Sequence, residues 1–83
     1  METNQFVLVT EDEWTLVCKD PKNEVFVQST RARDWRWAIT DKGEPPTQGS
    51  HYVQGYDTLH LPRFKGYLMA RAVFRSTRLV VTT

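Results

Sequence analysis

The chain has 83 residues, 40% of them hydrophobic, with four Phe, three Trp, three Tyr, one Cys and a formal net charge of +1. That length makes one domain, residues 1–83, which buries only about 60% of its unfolded surface, and a single cysteine excludes an internal disulfide. The aromatic and β-branched content excludes a disordered chain, and no run approaches the ~20 apolar residues of a membrane helix.

In chain order, residues 5–10 (QFVLVT) alternate weakly and read as a first strand, followed by the polar turn Glu11-Asp12-Glu13. Trp14 to Cys18 alternates Trp14, Leu16 and Cys18 against Thr15 and Val17, which suits a strand with one face in a core and predicts a buried Cys18. Lys19 to Asn23 carries the Asp, Pro and Asn chemistry of a turn, and Val25 to Gln28 is a third strand. Asp34 to Thr40 has the cleanest period of two, with Trp35, Trp37 and Ile39 on one face and Asp34, Arg36, Ala38 and Thr40 on the other. Asp41-Lys42-Gly43 reads as a turn. Residues 44–50, with Pro45, Pro46 and Gly49, read as an extended loop.

His51 to Val53 is a short strand before Gly55, and Thr58 to Leu61 places Leu59 and Leu61 inward before Pro62. Arg63 to Gly66 reads as a hairpin connection with its glycine where a positive φ is needed. Tyr67 to Phe74 is the longest predicted strand and puts Arg71 in register with Tyr67, Met69 and Val73. An arginine in such a row needs a carboxylate or carbonyl partner if buried, from a neighbouring chain for instance, unless the strand lies at an edge and lets it reach solvent. Arg75 to Thr77 turns the chain into a last strand, 78–82. Seven to eight short strands at about ten-residue spacing predict an all-β fold, a single small antiparallel β-sandwich or jelly-roll-like barrel.

The residues supply little chemistry. Cys18, His60 and Asp57 are the only makings of a nucleophile–base–acid set, without a local signature to support it. The four glycines are dispersed and open no phosphate-binding helix. Cys18, His51 and His60 are poor material for a four-ligand zinc site, and the acidic turn at residue 12 lacks the alternation of a calcium loop. No catalytic residue, cofactor or metal is expected. A small domain without disulfide or metal leans on a partner chain, so oligomerisation is the expected support.

Charge is uneven. Residues 1–30 carry Glu2, Glu11, Asp12, Glu13, Asp20 and Glu24 against Lys19 and Lys22, a net −4, and residues 31–83 carry nine Lys/Arg against four acids, a net +5. Such asymmetry can steer an acidic partner or nucleic acid, or let one subunit's acidic half meet its neighbour's basic half. Arg31, Arg33 and Arg36 around Trp35 and Trp37 are raw material for a base-stacking platform or for a protein–protein hot spot. Because one face of each strand must be filled, Trp35, Trp37, Tyr67, Met69 and Arg71 are read as core or interface. Arg31, Arg33, Arg36, Arg75 and Arg78 are read as polar contacts to neighbours. The start Met-Glu-Thr-Asn-Gln lacks an export signal, and the lone thiol fits a reducing cytoplasm.

The order of segments carries a resemblance: Trp14-Thr15-Leu16-Val17, Val25 to Ser29, Trp35 to Thr40, a Pro-rich loop ending Gly49-Ser50-His51, Leu59-His60-Leu61 and Gly66 to Ala72. Over residues 14–82 the chain resembles small β-sandwich proteins of tailed-bacteriophage particles, through a "vfVqn"-type strand at Val25–Ser29 and a closing "g.vyaRa"-type strand at Gly66–Ala72. The resemblance implies a virion component without enzymatic activity: a capsid decoration or cement protein, a fibre base or a tail accessory. It would be a homotrimer or other symmetric oligomer contacting other virion proteins and assembled in the host cytoplasm. Trp35-Arg36-Trp37 is heavier and more basic than that pattern. It leaves room for a small binding module instead, an inhibitor of a host system or an SH3- or OB-like nucleic-acid binder.

Overall fold

A computed structural model describes residues 4–47 and 49–83. Residues 1–3 of the Met-Glu-Thr-Asn-Gln start and residue 48 of the Pro-rich loop lie outside the described residues. Among the described residues there are eight strands and no helix: β1 (Asn4–Val9), β2 (Thr15–Lys19), β3 (Val25–Ser29), β4 (Trp35–Thr40), β5 (His51–Val53), β6 (Leu59–Leu61), β7 (Tyr67–Ala72) and β8 (Thr77–Thr82).

The strands form two antiparallel four-stranded sheets, sheet A in the order β1-β8-β3-β6 and sheet B in the order β2-β7-β4-β5. First pairs with last, second with seventh, third with sixth and fourth with fifth. The chain is thus one long hairpin, folded between β4 and β5 and rolled into a double-sheet jelly roll. Rolling closes most of the edges that eight separate strands would leave open.

The core lies between the sheets. Val9, Val25, Val27, Leu79 and Val81 from sheet A meet Val17, Trp35, Val53, Leu68, Ala70 and Ala72 from sheet B. Trp35 is fully buried, and its register partners across the sheet are Ala72 on β7 and Val53 on β5. Trp37, half-buried, faces Ala70 and stacks on His51 with ring centroids 4.5 Å apart. The alanines of β7 leave the volume that the indoles of β4 occupy. Leu59 and Leu61 pack against the core, as their alternation predicts.

Three local expectations fail for physical reasons. In β2 the pairing slips between Leu16, opposite Met69, and Cys18, opposite Leu68. This bulge sends Leu16 outward and turns both Val17 and Cys18 toward the core, where simple alternation allows only one of them. Residues 63–66 are not a hairpin connection. They cross from β6 in sheet A to β7 in sheet B. Gly66 is required there in another way: its φ is +124°, and an added Cβ would lie 2.9 Å from the Thr40 carbonyl oxygen. Its N–H donates to Asp20 Oδ1 (2.7 Å), and the Asp20 N–H donates back to its carbonyl (2.9 Å), clasping two loops together. Finally, β7 ends at Ala72, so it is no longer than β1, β4 or β8, and Phe74 is 75% exposed in the turn beyond it.

Replacing Trp35 with Ala is expected to cost about 3–5 kcal/mol, since the cavity cannot collapse between two sheets. The half-buried Trp37 should cost clearly less. Urea unfolding of the two variants checks the order, and equal losses would contradict the packing described.

Candidate functional site: a basic end and an apolar sheet face

Rolling the hairpin gathers the connections β1–β2, β3–β4, β5–β6 and β7–β8 at one end of the sandwich, and it brings together arginines far apart in sequence. Thr30 donates from both its N–H and its hydroxyl to the Arg78 carbonyl (2.9 Å each), and Arg33 Nη1 donates to the Ser76 carbonyl (2.6 Å). Beneath them the buried hydroxyls of Ser29 and Thr77 are hydrogen-bonded at 2.7 Å, and the Arg31 N–H donates to Ser29 Oγ (3.2 Å). Arg36 stands directly opposite Arg71. Arg33 and Arg75 flank the exposed Phe74 in one shallow depression.

Asp34 holds this end together. Its carboxylate accepts the Tyr52 hydroxyl and the Gly55 N–H (2.8 Å), and its carbonyl accepts the Val73 N–H (3.3 Å). The Tyr52 hydrogen bond, helped by the Gly55 N–H, holds the Asp34 carboxyl below the usual carboxylate range, while the same bond pushes the Tyr52 phenol up. Asp34, expected in the strand, instead closes the turn before β4 and bonds through its side chain to Tyr52 of β5 and Gly55 of the β5–β6 loop.

The second feature is the outer face of sheet A. Phe6 is 65% exposed and Leu8 60%, with Phe26 and the half-buried Val80 on the same face. Phe6 is opposite Val80, and Phe26 is opposite His60, stacked on it in parallel with centroids 4.4 Å apart. Glu24 lies 3.6 Å from His60 Nε2. The apolar strip runs into the basic end: Phe6, Leu8, Arg31, Arg33 and Arg78 share an open groove of about 450 Å³. β1, which carries Phe6 and Leu8, is an edge strand of its sheet. Wide exposure of large apolar side chains on a sheet face and edge marks a contact surface.

The residues read from sequence are thereby divided. Arg31, Arg33, Arg75 and Arg78 meet at the basic end, with Arg36 and Arg71 on the neighbouring outer face of sheet B. Trp35 is core, so it cannot be a base-stacking platform, and Trp37 is half-buried against His51. Met69 is buried and Tyr67 half-buried, both on the outer side of sheet B, where Lys19 Nζ lies 5.0 Å from the Tyr67 ring centroid. Arg71 lies on a central strand, not an edge, and its Nε donates to the Glu11 carbonyl of the same chain (2.8 Å). The would-be triad is scattered. Cys18 faces the core with its thiol pushed up by burial to about 11, while His60 lies on the outer face of sheet A. Phe6, Leu8 and Phe26 were missed. The signal was in Phe6-Val7-Leu8-Val9, apolar in both phases of the strand, which an 83-residue sandwich cannot bury on both sides.

Among the described residues no three His, Cys, Asp or Glu side chains gather as a metal site, and no helix is long and apolar enough to cross a membrane. No protein-family model, curated protein or solved structure matches this chain. Its class is therefore given by its own strand order, a small eight-stranded jelly-roll sandwich.

Tyr52→Phe removes the largest cause of the depressed Asp34 pKa. A depressed carboxyl stabilises the fold above its unfolded value of 3.8, and that contribution is lost as pH falls below it. The stability gap between wild type and Tyr52→Phe should therefore be widest near neutrality and narrow in acid. Urea midpoints at about pH 6 and about pH 3 measure it.

Proposed function

We propose that the protein is a non-enzymatic structural and interaction protein that assembles with copies of itself, as a trimer or another symmetric oligomer. The observation that carries this reading is the exposure of Phe6 and Leu8 on an edge strand, continued by Phe26 across the sheet. Covering that face stabilises association by about 25 cal/mol per Å² of apolar area. Charge complementarity points to a second copy as its cover. Among the described residues no Lys or Arg lies in an ion pair, so the charges of the exposed Glu11-Asp12-Glu13 turn and of the arginines are not paired within the chain and can meet across two copies.

Within that class we propose a virion component of a tailed bacteriophage, a capsid decoration or cement protein or a tail accessory. The support is the resemblance at Val25–Ser29 and Gly66–Ala72, on strands β3 and β7 of an architecture that recurs in viral capsid domains. Such a protein works by area burial repeated over many copies, locking a shell or tail against expansion. The competing reading, a small binding module for nucleic acid or a host protein, draws on the clustered arginines. The burial of Trp35 and the acidic turn at the same end weigh against its nucleic-acid form.

Light scattering on a sizing column is expected to give a multiple of the 9.7 kDa chain mass. The double variant Phe6→Glu/Leu8→Glu is expected to run as a folded monomer with the wild-type circular dichroism spectrum. A wild type that stays monomeric at the highest attainable concentration would overturn the assembly reading, and nucleic acid and host proteins would then be titrated against it.

A further inference from the structure

On the outer face of sheet B, Arg36 of β4 and Arg71 of β7 are register partners. Like charges directly opposite each other destabilise a sheet unless something negative lies between them. Among the described residues no carboxylate lies within ion-pair distance of either guanidinium. Arg71 is held in place by the bond from its Nε to the Glu11 carbonyl (2.8 Å), which leaves its Nη groups without a partner. The Arg36 guanidinium lies over the Tyr52 ring, its carbon 6.0 Å from the centroid, and makes no side-chain hydrogen bond. Both arginines line one open cavity of about 270 Å³, walled by Glu11, the half-buried Trp14 and Val73. Asp34, at the same end of the sandwich, is occupied by Tyr52 and Gly55.

We propose that this arginine pair is a binding site for a single carboxylate, an Asp or Glu side chain presented by a protein partner. Two forked guanidiniums on adjacent strands can each donate to a carboxylate oxygen, and the anion cancels the repulsion between them. Trp14 supplies an apolar wall that shields the contact from water. The wall also decides the class of ligand. Glu11 lines the cavity and Asp12 and Glu13 follow it in the exposed turn, a local field that repels a polyanionic strand and tolerates one compact charge. The inference deepens the assembly reading by naming the chemistry of a second contact surface, and it rests on that reading for the partner being a protein.

The test is an NMR titration of the ¹⁵N-labelled 83-residue chain at constant ionic strength. The probes are acetyl-Gly-Asp-Gly-amide, the same peptide with Asn, inorganic phosphate and a single-stranded oligonucleotide. The Arg71 Nε–H and Trp14 Nε1–H resonances are expected to move saturably with the Asp peptide and not with the Asn peptide. Arg36→Gln should weaken that response about tenfold, the loss of a charge-assisted hydrogen bond. It should also leave the melting temperature unchanged or raise it at low salt, because a like-charge opposition is removed. No saturable shift, or an equal response to the Asn peptide, would overturn the site. Tighter binding of phosphate or of the oligonucleotide would overturn the carboxylate assignment. A melting temperature several degrees lower in Arg36→Gln would show that Arg36 holds the sheet and would overturn its role as a ligand-binding group. Because the probes report on monomer and oligomer alike, failure here is separate from failure of sheet A to assemble.

Discussion

The fit of two indoles against two alanines across β4 and β7 is the contact on which the rest of the structure depends. Trp35 opposite Ala72 and Trp37 opposite Ala70 lock one strand register at the centre of sheet B. A slip of one residue would turn the tryptophans to solvent and Arg36, Ala38 and Thr40 into the core. With the register set, every outward pair follows. Arg36 must face Arg71, Ala38 must face Met69, and Thr40 must face Tyr67. A packing demand on one side of the sheet thus creates an electrostatic conflict on the other, and that conflict is the sharpest chemical feature of the molecule.

The rolled topology converts this local order into a surface. Because first pairs with last and third with eighth, the turns after β1 and β3 meet the turn before β8, and the arginines of two distant segments end on one rim. Among the described residues none of these side chains is ordered by charge pairing. They are placed by backbone carbonyls, as Arg33 is by Ser76 and Arg71 by Glu11, and by the Asp34 network beneath them. Their charges therefore remain available outward. At the opposite end the Asp20–Gly66 clasp does purely structural work, tying the β2–β3 turn to the crossover between sheets.

The exposed face of sheet A is the price of a thin sandwich. Eight short strands offer two inner faces, which the valines, leucines and Trp35 fill, and two outer ones. An outer face bearing Phe6, Leu8 and Phe26 invites association, and a monomer with an open edge at β1 would be prone to uncontrolled pairing. The groove leading from that face to Arg31, Arg33 and Arg78 adds charge selectivity to what would otherwise be a merely sticky surface.

Much of this was legible in the residues, and the limits of legibility are physical. Period-two patterning at Trp35–Trp37 and Leu59–Leu61, with Gly, Pro and Asn between strands, determined an all-β sandwich, because alternation reports which face meets a core whatever the partner; Ile39, read on the same face as the tryptophans, is instead 40% exposed. The same patterning placed Trp35 in core or interface with arginines flanking it, and left the choice between the two to the fold. Alternation is blind to a bulge, so Leu16 and the neighbouring Val17 changed roles while Cys18 kept its inward place. It is blind to which sheet a strand joins, so a crossover at residues 63–66 passed for a hairpin. Where both phases are apolar, as in β1, it cannot say which face is solvated. Those choices, with the opposition of Arg36 and Arg71 and the anchoring of Arg71 on its own chain, depend on contacts between residues tens of positions apart. Only the tertiary structure decided them, since the side-chain pattern of a strand records its faces and not its neighbours.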